Sequence, residues 1–92
     1  MTAVIESKQF KKDKETIART KAGSKILYEL LEVLTYFIRE EPLPAHYLDH
    51  ALKGDFKGYR DLHLRGDMVT IYKIDGEELL LARLGTHNQL FS

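Results

Sequence analysis

Cysteine is absent from the 92 residues, so neither a disulfide framework nor a thiolate nucleophile is available. Tryptophan is absent too, and the only two prolines, Pro42 and Pro44, sit almost side by side. They leave long stretches on either side in which helices and strands can run unbroken. No apolar run approaches the roughly 20 residues of a membrane-spanning helix. No charged leader with an apolar core opens the chain, so the expectation is a cytoplasmic protein without membrane attachment. Net charge is missing as well, with 14 Lys and Arg against 14 Asp and Glu. What remains is 43% hydrophobic and 30% charged, which suits a single domain over residues 1–92 with one modest core.

The charge is balanced but not evenly spread. Residues 1–25 hold seven Lys and Arg against three acidic residues, whereas residues 26–50 hold only Arg39 against five. A basic segment of this kind can meet a polyanion, and it can equally be the solvated face of a lysine-rich helix.

Residues 3–5 (Ala-Val-Ile) suggest a short first strand within Met1–Glu6. Ser7 can cap a helix running to about Ala22, with Gly23 as its stop. A second helix follows Ser24, because Ile26, Leu27, Leu30, Leu31, Leu34, Phe37 and Ile38 recur at three- and four-residue spacing. The prolines end it, and a loop to about Asp55 carries His46 and His50. Strands are predicted over Phe56–Leu64, Met68–Ile74 and Glu78–Leu84, with a short turn or helix starting near Thr86. The order β-α-α-β-β-β makes an α+β domain with two N-terminal helices packed on an antiparallel sheet.

Asp75-Gly76 is a two-residue hairpin signal of the type I′ kind. That loop would pair Ile74 with Glu77, Tyr72 with Leu79 and Met68 with Arg83. A two- or four-residue turn near Arg65-Gly66 would add His63, putting His63, Met68 and Arg83 in one row. Its ends would be roughly 10 Å apart, twice the strand spacing. A three-residue turn, which Gly66 also permits, breaks that register.

All four histidines (His46, His50, His63, His87) fall in the C-terminal half. Imidazole is the side chain that exchanges protons near neutral pH. Cleaving RNA without a metal requires a base for the 2′-hydroxyl, an acid for the departing 5′-oxygen and a cation for the phosphorane. His50, His63, Asp67, Arg83 and His87 could supply these groups. Phe91 offers a face for a base to stack on, or simply packs the C-terminus. His46-x-x-x-His50 has the spacing of zinc ligands, but it lies in a loop and lacks both the Glu of the zincin signature and any cysteine. No metal and no cofactor are expected. Nothing matches a P-loop, a dinucleotide fingerprint or a serine-hydrolase elbow.

Asp49-His50-Ala51-Leu52, Gly58-Tyr59-Arg60-Asp61 with His63, Ile71-Tyr72, and Arg83-Leu84-Gly85-Thr86-His87 with Leu90-Phe91 resemble the YafQ branch of the RelE/ParE toxin superfamily. The resemblance covers nearly the whole chain. It implies a RelE-like, microbial-ribonuclease-like fold and the toxin role in a type II toxin–antitoxin system. The implied activity is that of an mRNA interferase: a ribosome-dependent, metal-free endoribonuclease that cuts mRNA in the A site and leaves a 2′,3′-cyclic phosphate. The implied partners are the ribosome and its rRNA, the mRNA, and a cognate antitoxin, with the toxin monomeric when free and hetero-oligomeric when inhibited. By the same resemblance His50, His63, Asp67, Arg83, His87 and Phe91 occupy active-site positions, with His87 as acid and Arg83 as phosphate clamp. His50 or His63, helped by Asp67, would be the base. Met68 stands where some relatives carry an aromatic residue. Contact with rRNA would fall to the basic face of residues 8–25, through Lys11, Lys12 and Lys14. The alternatives are a ParE-like gyrase-binding toxin and a non-catalytic binding module.

Overall fold

Ile26, Leu30 and Val33 form the buried stripe of helix α2, Gly23–Ile38. The computed structural model describes residues 3–91, and there α2 lies with helix α1, Lys8–Ala18, on one face of a five-stranded sheet. The strands are β1 Ala3–Glu6, β2 His50–Ala51, β3 Arg60–His63, β4 Met68–Asp75 and β5 Glu78–Thr86, in spatial order β1-β5-β4-β3-β2. A five-residue helix α3, His87–Phe91, closes the described chain. Phe10 and Ile17 of α1 and the α2 stripe meet Leu62, Met68, Tyr72, Leu79, Leu81 and Leu84 in the main core. On the opposite face, Val69, Ile71 and Leu90 are buried beneath Leu52, Phe56, Tyr59, Ala82 and Phe91.

The α+β class holds, with corrections to its parts. The sheet is mixed, because β1 runs parallel to β5 while every other pairing is antiparallel. Of the first predicted strand, Met1 and Thr2 lie outside the described residues. His50 and Ala51, expected in a loop, form the edge strand β2 against β3. The strand expected from Phe56 begins only at Arg60, since residues 54–56 make a 3-10 turn.

Helix α1 ends at Ala18 rather than Ala22, and Gly23 opens α2 instead of stopping α1. The Thr20 hydroxyl and its backbone N–H both bond the Ile17 carbonyl, turning the chain early. That sharp corner presses Gly23 against α1: an added Cβ would sit 2.2 Å from the Ile17 carbonyl oxygen. Glycine is here for close approach. Ser24 is not the cap, and Ala22 at that position makes no side-chain capping bond.

Both hairpins depart from the expected register. Between β4 and β5 the two loop residues are Gly76-Glu77, with Asp75 facing Glu78 and Gly76 at φ +61°. Positive φ at the first loop position alone is the type II′ pattern, which needs glycine there. Between β3 and β4 the Leu64 N–H bonds the Met68 carbonyl, so the turn has three residues, and Gly66 takes φ +63°. His63 therefore faces Val69, not Met68.

The largest difference is a bulge. Tyr72 faces Leu81 but Ile71 faces Arg83, so Ala82 is an extra residue in β5. In an unbroken ladder Arg83 would oppose Thr70, on the face with Leu84 and the main core. The bulge instead turns it to the face of Ile71. The expected row His63–Met68–Arg83 does not form, and Met68 is buried in the main core, 6% exposed. A different row takes its place: His50, Asp61, Ile71 and Arg83 are successive partners across β2, β3, β4 and β5.

Replacing Gly23 with alanine should force the helix corner apart. The expected cost is about 1–3 kcal/mol, measured as a lower midpoint in urea or thermal unfolding with the slope unchanged.

Candidate active site on the sheet face opposite the helices

Strand alternation sends Asp61 and His63 to the same face, and pairing brings His50 alongside Asp61. The His50 Nδ1 lies 2.9 Å from the Asp61 carboxylate and 2.9 Å from the Leu48 carbonyl. The bond to the Leu48 carbonyl requires Nδ1 to carry the proton, with the Asp61 carboxylate beside it, and leaves Nε2 with its lone pair directed away. The His50 and His63 rings stack with centroids 6.1 Å apart.

Asp61 is the residue that the sequence reading did not single out. It is 2% exposed, and burial pushes its carboxyl above the ordinary aspartate range. The fields of His50, His63 and His87 pull the other way, so His87 of α3 belongs to the same electrostatic group. The signal was there in Asp61-x-His63: period-two alternation on a strand puts both on the face that His50 joins.

A short edge strand needs anchoring, and Asp49 supplies it from the other face. Its carboxylate accepts from Arg60 Nε at 3.2 Å and Nη2 at 3.0 Å, and from the Tyr72 hydroxyl. The Asp49 carboxylate raises the Arg60 pKa, while burial and then the Asp49 bond raise that of Tyr72. His50, the next residue, is thereby fixed on the site face.

Helix α3 holds His87 by three contacts. The His87 N–H donates to the Asp67 carbonyl at 3.1 Å. Thr86 caps the helix, its hydroxyl accepting from the Gln89 N–H at 3.2 Å. The Phe91 ring stands 4.8 Å from the His87 imidazole, centroid to centroid, and packs in turn on Phe56 at 5.8 Å. Phe91 thus braces the imidazole. Gly85 packs closely beneath α3, where a Cβ would lie 3.0 Å from Gln89 Oε1 and 3.2 Å from Leu90 Cδ2 and would push those side-chain ends aside.

Arg83 shares this face through the bulge, about 10 Å from Asp61 by strand spacing. Its guanidinium bonds Asp13. Asp67 is exposed, and the contact it makes to the site is the backbone bond to His87. His46 stands apart in a 3-10 turn, its ring against Tyr47. Lys11 and Lys12 are exposed on α1, in the helical layer, while Lys14 is bonded to Glu6 at 2.5 Å.

Two proton-exchanging imidazoles around a buried carboxylate, a third braced nearby and an arginine at the end of the same strand row, its guanidinium on Asp13, are groups that can move protons and meet a phosphate. The same trio could hold a cation. One ligand atom each from His50, Asp61 and His63 lies within 4.8 Å of the others, a nitrogen–oxygen–nitrogen set suited to zinc or copper.

The chain matches, over residues 2–92, the family described as "Bacterial toxin of type II toxin-antitoxin system, YafQ". It is 42% identical over 87 residues to the mRNA interferase toxin YafQ of Escherichia coli K12, covering 92% of this chain and 90% of that one. Its fold is similar to that of a metal-bound toxin from Helicobacter pylori, with a TM-score of 0.83 and 36% identity over 99% and 100% of the two chains. It is also similar to the toxin of the E. coli DinJ–YafQ complex, with a TM-score of 0.77 and 36% identity over 97% of each chain.

Burial of Asp61 has a consequence for stability. A carboxyl raised by burial favours its neutral form in the folded state, so its contribution is full below about pH 4 and is lost as pH rises through the raised value. Asp61→Asn cannot ionise. The difference between variant and parent unfolding midpoints should therefore grow in the variant's favour from about pH 4 upward. A constant difference across that range would contradict it.

Proposed function

Because the chain belongs to the YafQ family of bacterial toxins of type II toxin–antitoxin systems, we propose that it is a ribosome-dependent endoribonuclease that cuts mRNA in the A site. Three groups would divide the work. His50 Nε2 takes the proton from the ribose 2′-hydroxyl, with Asp61 and the Leu48 carbonyl holding Nδ1–H in place. The 2′-oxygen attacks phosphorus, the bond from phosphorus to the 5′-oxygen breaks, and imidazolium His87 gives that oxygen its proton. The products are a 2′,3′-cyclic phosphate and a 5′-hydroxyl end. Arg83 bears the charge gathering on the phosphorane oxygens. His63, stacked on His50, lines the same site, and Phe91 and the Asp67 carbonyl keep His87 in position.

The observation that carries this reading is the His50–Asp61 contact beside His63, in one row with Arg83. A ParE-like toxin acting on gyrase by binding alone has no need of a buried carboxylate orienting an imidazole. The partners proposed are the ribosome, its mRNA and a cognate antitoxin, since the similar E. coli toxin is found in complex with DinJ.

The proposed chemistry needs no metal, and a cation held among His50, Asp61 and His63 would take these groups out of proton transfer. On translating ribosomes at constant magnesium, cleavage should therefore survive a chelator selective for zinc and copper and fall when either of those ions is added. Activity that requires the metal would reverse the assignment.

Inducing the chain in bacteria and mapping transcript 5′ ends, with and without translation, tests the reaction itself. Cuts confined to translated frames are expected, and intact mRNA with halted growth would favour the gyrase reading. His87→Gln should lower the cleavage rate about 10²–10⁴-fold with the fold retained.

Lys11 and Lys12, exposed on α1, would meet rRNA. Reversing both charges should weaken ribosome binding and flatten its salt dependence. Equal salt slopes in variant and parent would count against that contact.

A further inference from the structure

Where β1 ends at Glu6, the far half of β5 loses its strand neighbour, and α1 covers the open edge. One side chain there does most of the bonding. Asp13 is 9% exposed and lies on the buried side of an otherwise lysine-rich helix, between Phe10 and Ile17. Its carboxylate accepts from Arg83 Nε at 2.9 Å, from Arg83 Nη2 at 3.4 Å, from the Leu84 backbone N–H at 2.9 Å and from Gln9 Nε2 at 3.1 Å. Burial pushes this carboxyl up, but those bonds outweigh it and hold it below the usual aspartate range, so it is a carboxylate at neutral pH.

The geometry fixes a plane. A guanidinium has five N–H donors in one rigid fork. Asp13 takes the Nε–H and one on Nη2, which leaves three N–H groups pointing elsewhere. The Arg83 side chain is 32% exposed, so those donors are open to a ligand. Without Asp13, the long arginine chain would sample many rotamers at a site that requires one.

We propose that Asp13 is a positioning residue for RNA cleavage, holding the Arg83 guanidinium in the orientation that meets the scissile phosphate. It touches no substrate and acts through Arg83. The inference rests on the ribonuclease reading above.

The test is a double-mutant cycle on translating ribosomes, with kcat and KM measured for the parent, Asp13→Asn, Arg83→Ala and the double variant. Asp13→Asn should lower kcat roughly 10- to 100-fold, the scale of a small misplacement of a catalytic group, and change KM less than about twofold. In the Arg83→Ala background the same change should have no further effect. A parental kcat for Asp13→Asn overturns the proposal, as do losses that multiply in the double variant, because those describe a separate structural role. If Asp13→Asn fails to fold, Asp13→Glu keeps the charge and moves the carboxylate. Its kcat should also fall, and a parental value overturns the proposal. If Arg83→Ala cleaves like the parent, or the parent does not cleave, the ribonuclease reading fails and the proposal goes with it. An impaired Arg83→Ala beside an unimpaired Asp13→Asn rejects the role of Asp13 alone.

Discussion

A single extra residue in β5 decides which side of the sheet Arg83 serves. With Ala82 inserted, Arg83 stands opposite Ile71 on the histidine face; without it, Arg83 would face the helices and the main core. A bulge breaks ladder bonds, so its backbone groups need other partners. They come from distant parts of the chain. Ser7 donates its N–H to the Leu81 carbonyl and its hydroxyl to the Ala82 carbonyl, at 3.0 and 2.8 Å. The Thr70 hydroxyl donates to the Arg83 carbonyl at 2.9 Å, and Asp13 accepts the Leu84 N–H. The start of α1 therefore does two jobs. Ser7 caps the helix, accepting from the Phe10 N–H at 2.9 Å, and the same oxygen secures the bulge some 75 residues later.

The two faces of the sheet have different physics. The helical face is a conventional apolar core, fed by α1, α2 and alternate residues of β3, β4 and β5. On the other face Val69, Ile71 and Leu90 form a small apolar patch with polar groups set around it. Asp61 is buried at its margin, where a carboxylate is costly unless imidazoles stand beside it. That cost explains why His50, which lies on a two-residue strand of little intrinsic stability, is held from both sides. Asp49 anchors the strand to Arg60 and Tyr72 on one face, and Asp61 takes the imidazole on the other. Site rigidity is thus borrowed from polar bonds at the sheet edge, not from the main core.

Much of this could be read directly. The spacing of Ile26, Leu30 and Val33 announces α2, and the Thr86 cap announces α3 within a residue. The expected row of His63, Met68 and Arg83 does not exist, yet His63 and Arg83 still share a sheet face. Two register errors, one at each turn, and the bulge left His63 and Arg83 on the same face one pair apart. Turn type was the weak point: Asp75-Gly76 and Gly76-Glu77 both satisfy a two-residue loop, and only the packing of both strand faces chooses between them. Asp13 and Asp61 were passed over because each looks like an ordinary charge until its neighbours are known. Gly23 was misread for the same reason, since a packing glycine and a helix-stopping glycine look alike in sequence.

Local pattern alone, then, determined the α+β class, the two-helix N-terminal half, the approximate β4–β5 hairpin and the set of proton-exchanging side chains. Each of these depends on residues a few positions apart, where periodicity and turn chemistry act directly. The parallel seat of β1, the short strand β2, the bulge at Ala82, and the partners of Asp13 and Asp61 were decided only by the folded chain. Each of those requires atoms separated by 11 to 75 residues to meet, as the His50–Asp61 contact and the Ser7–Ala82 bond do. Such meetings are selected by the closing of the whole core and by the need to satisfy every buried polar group, a condition that no short stretch of sequence contains.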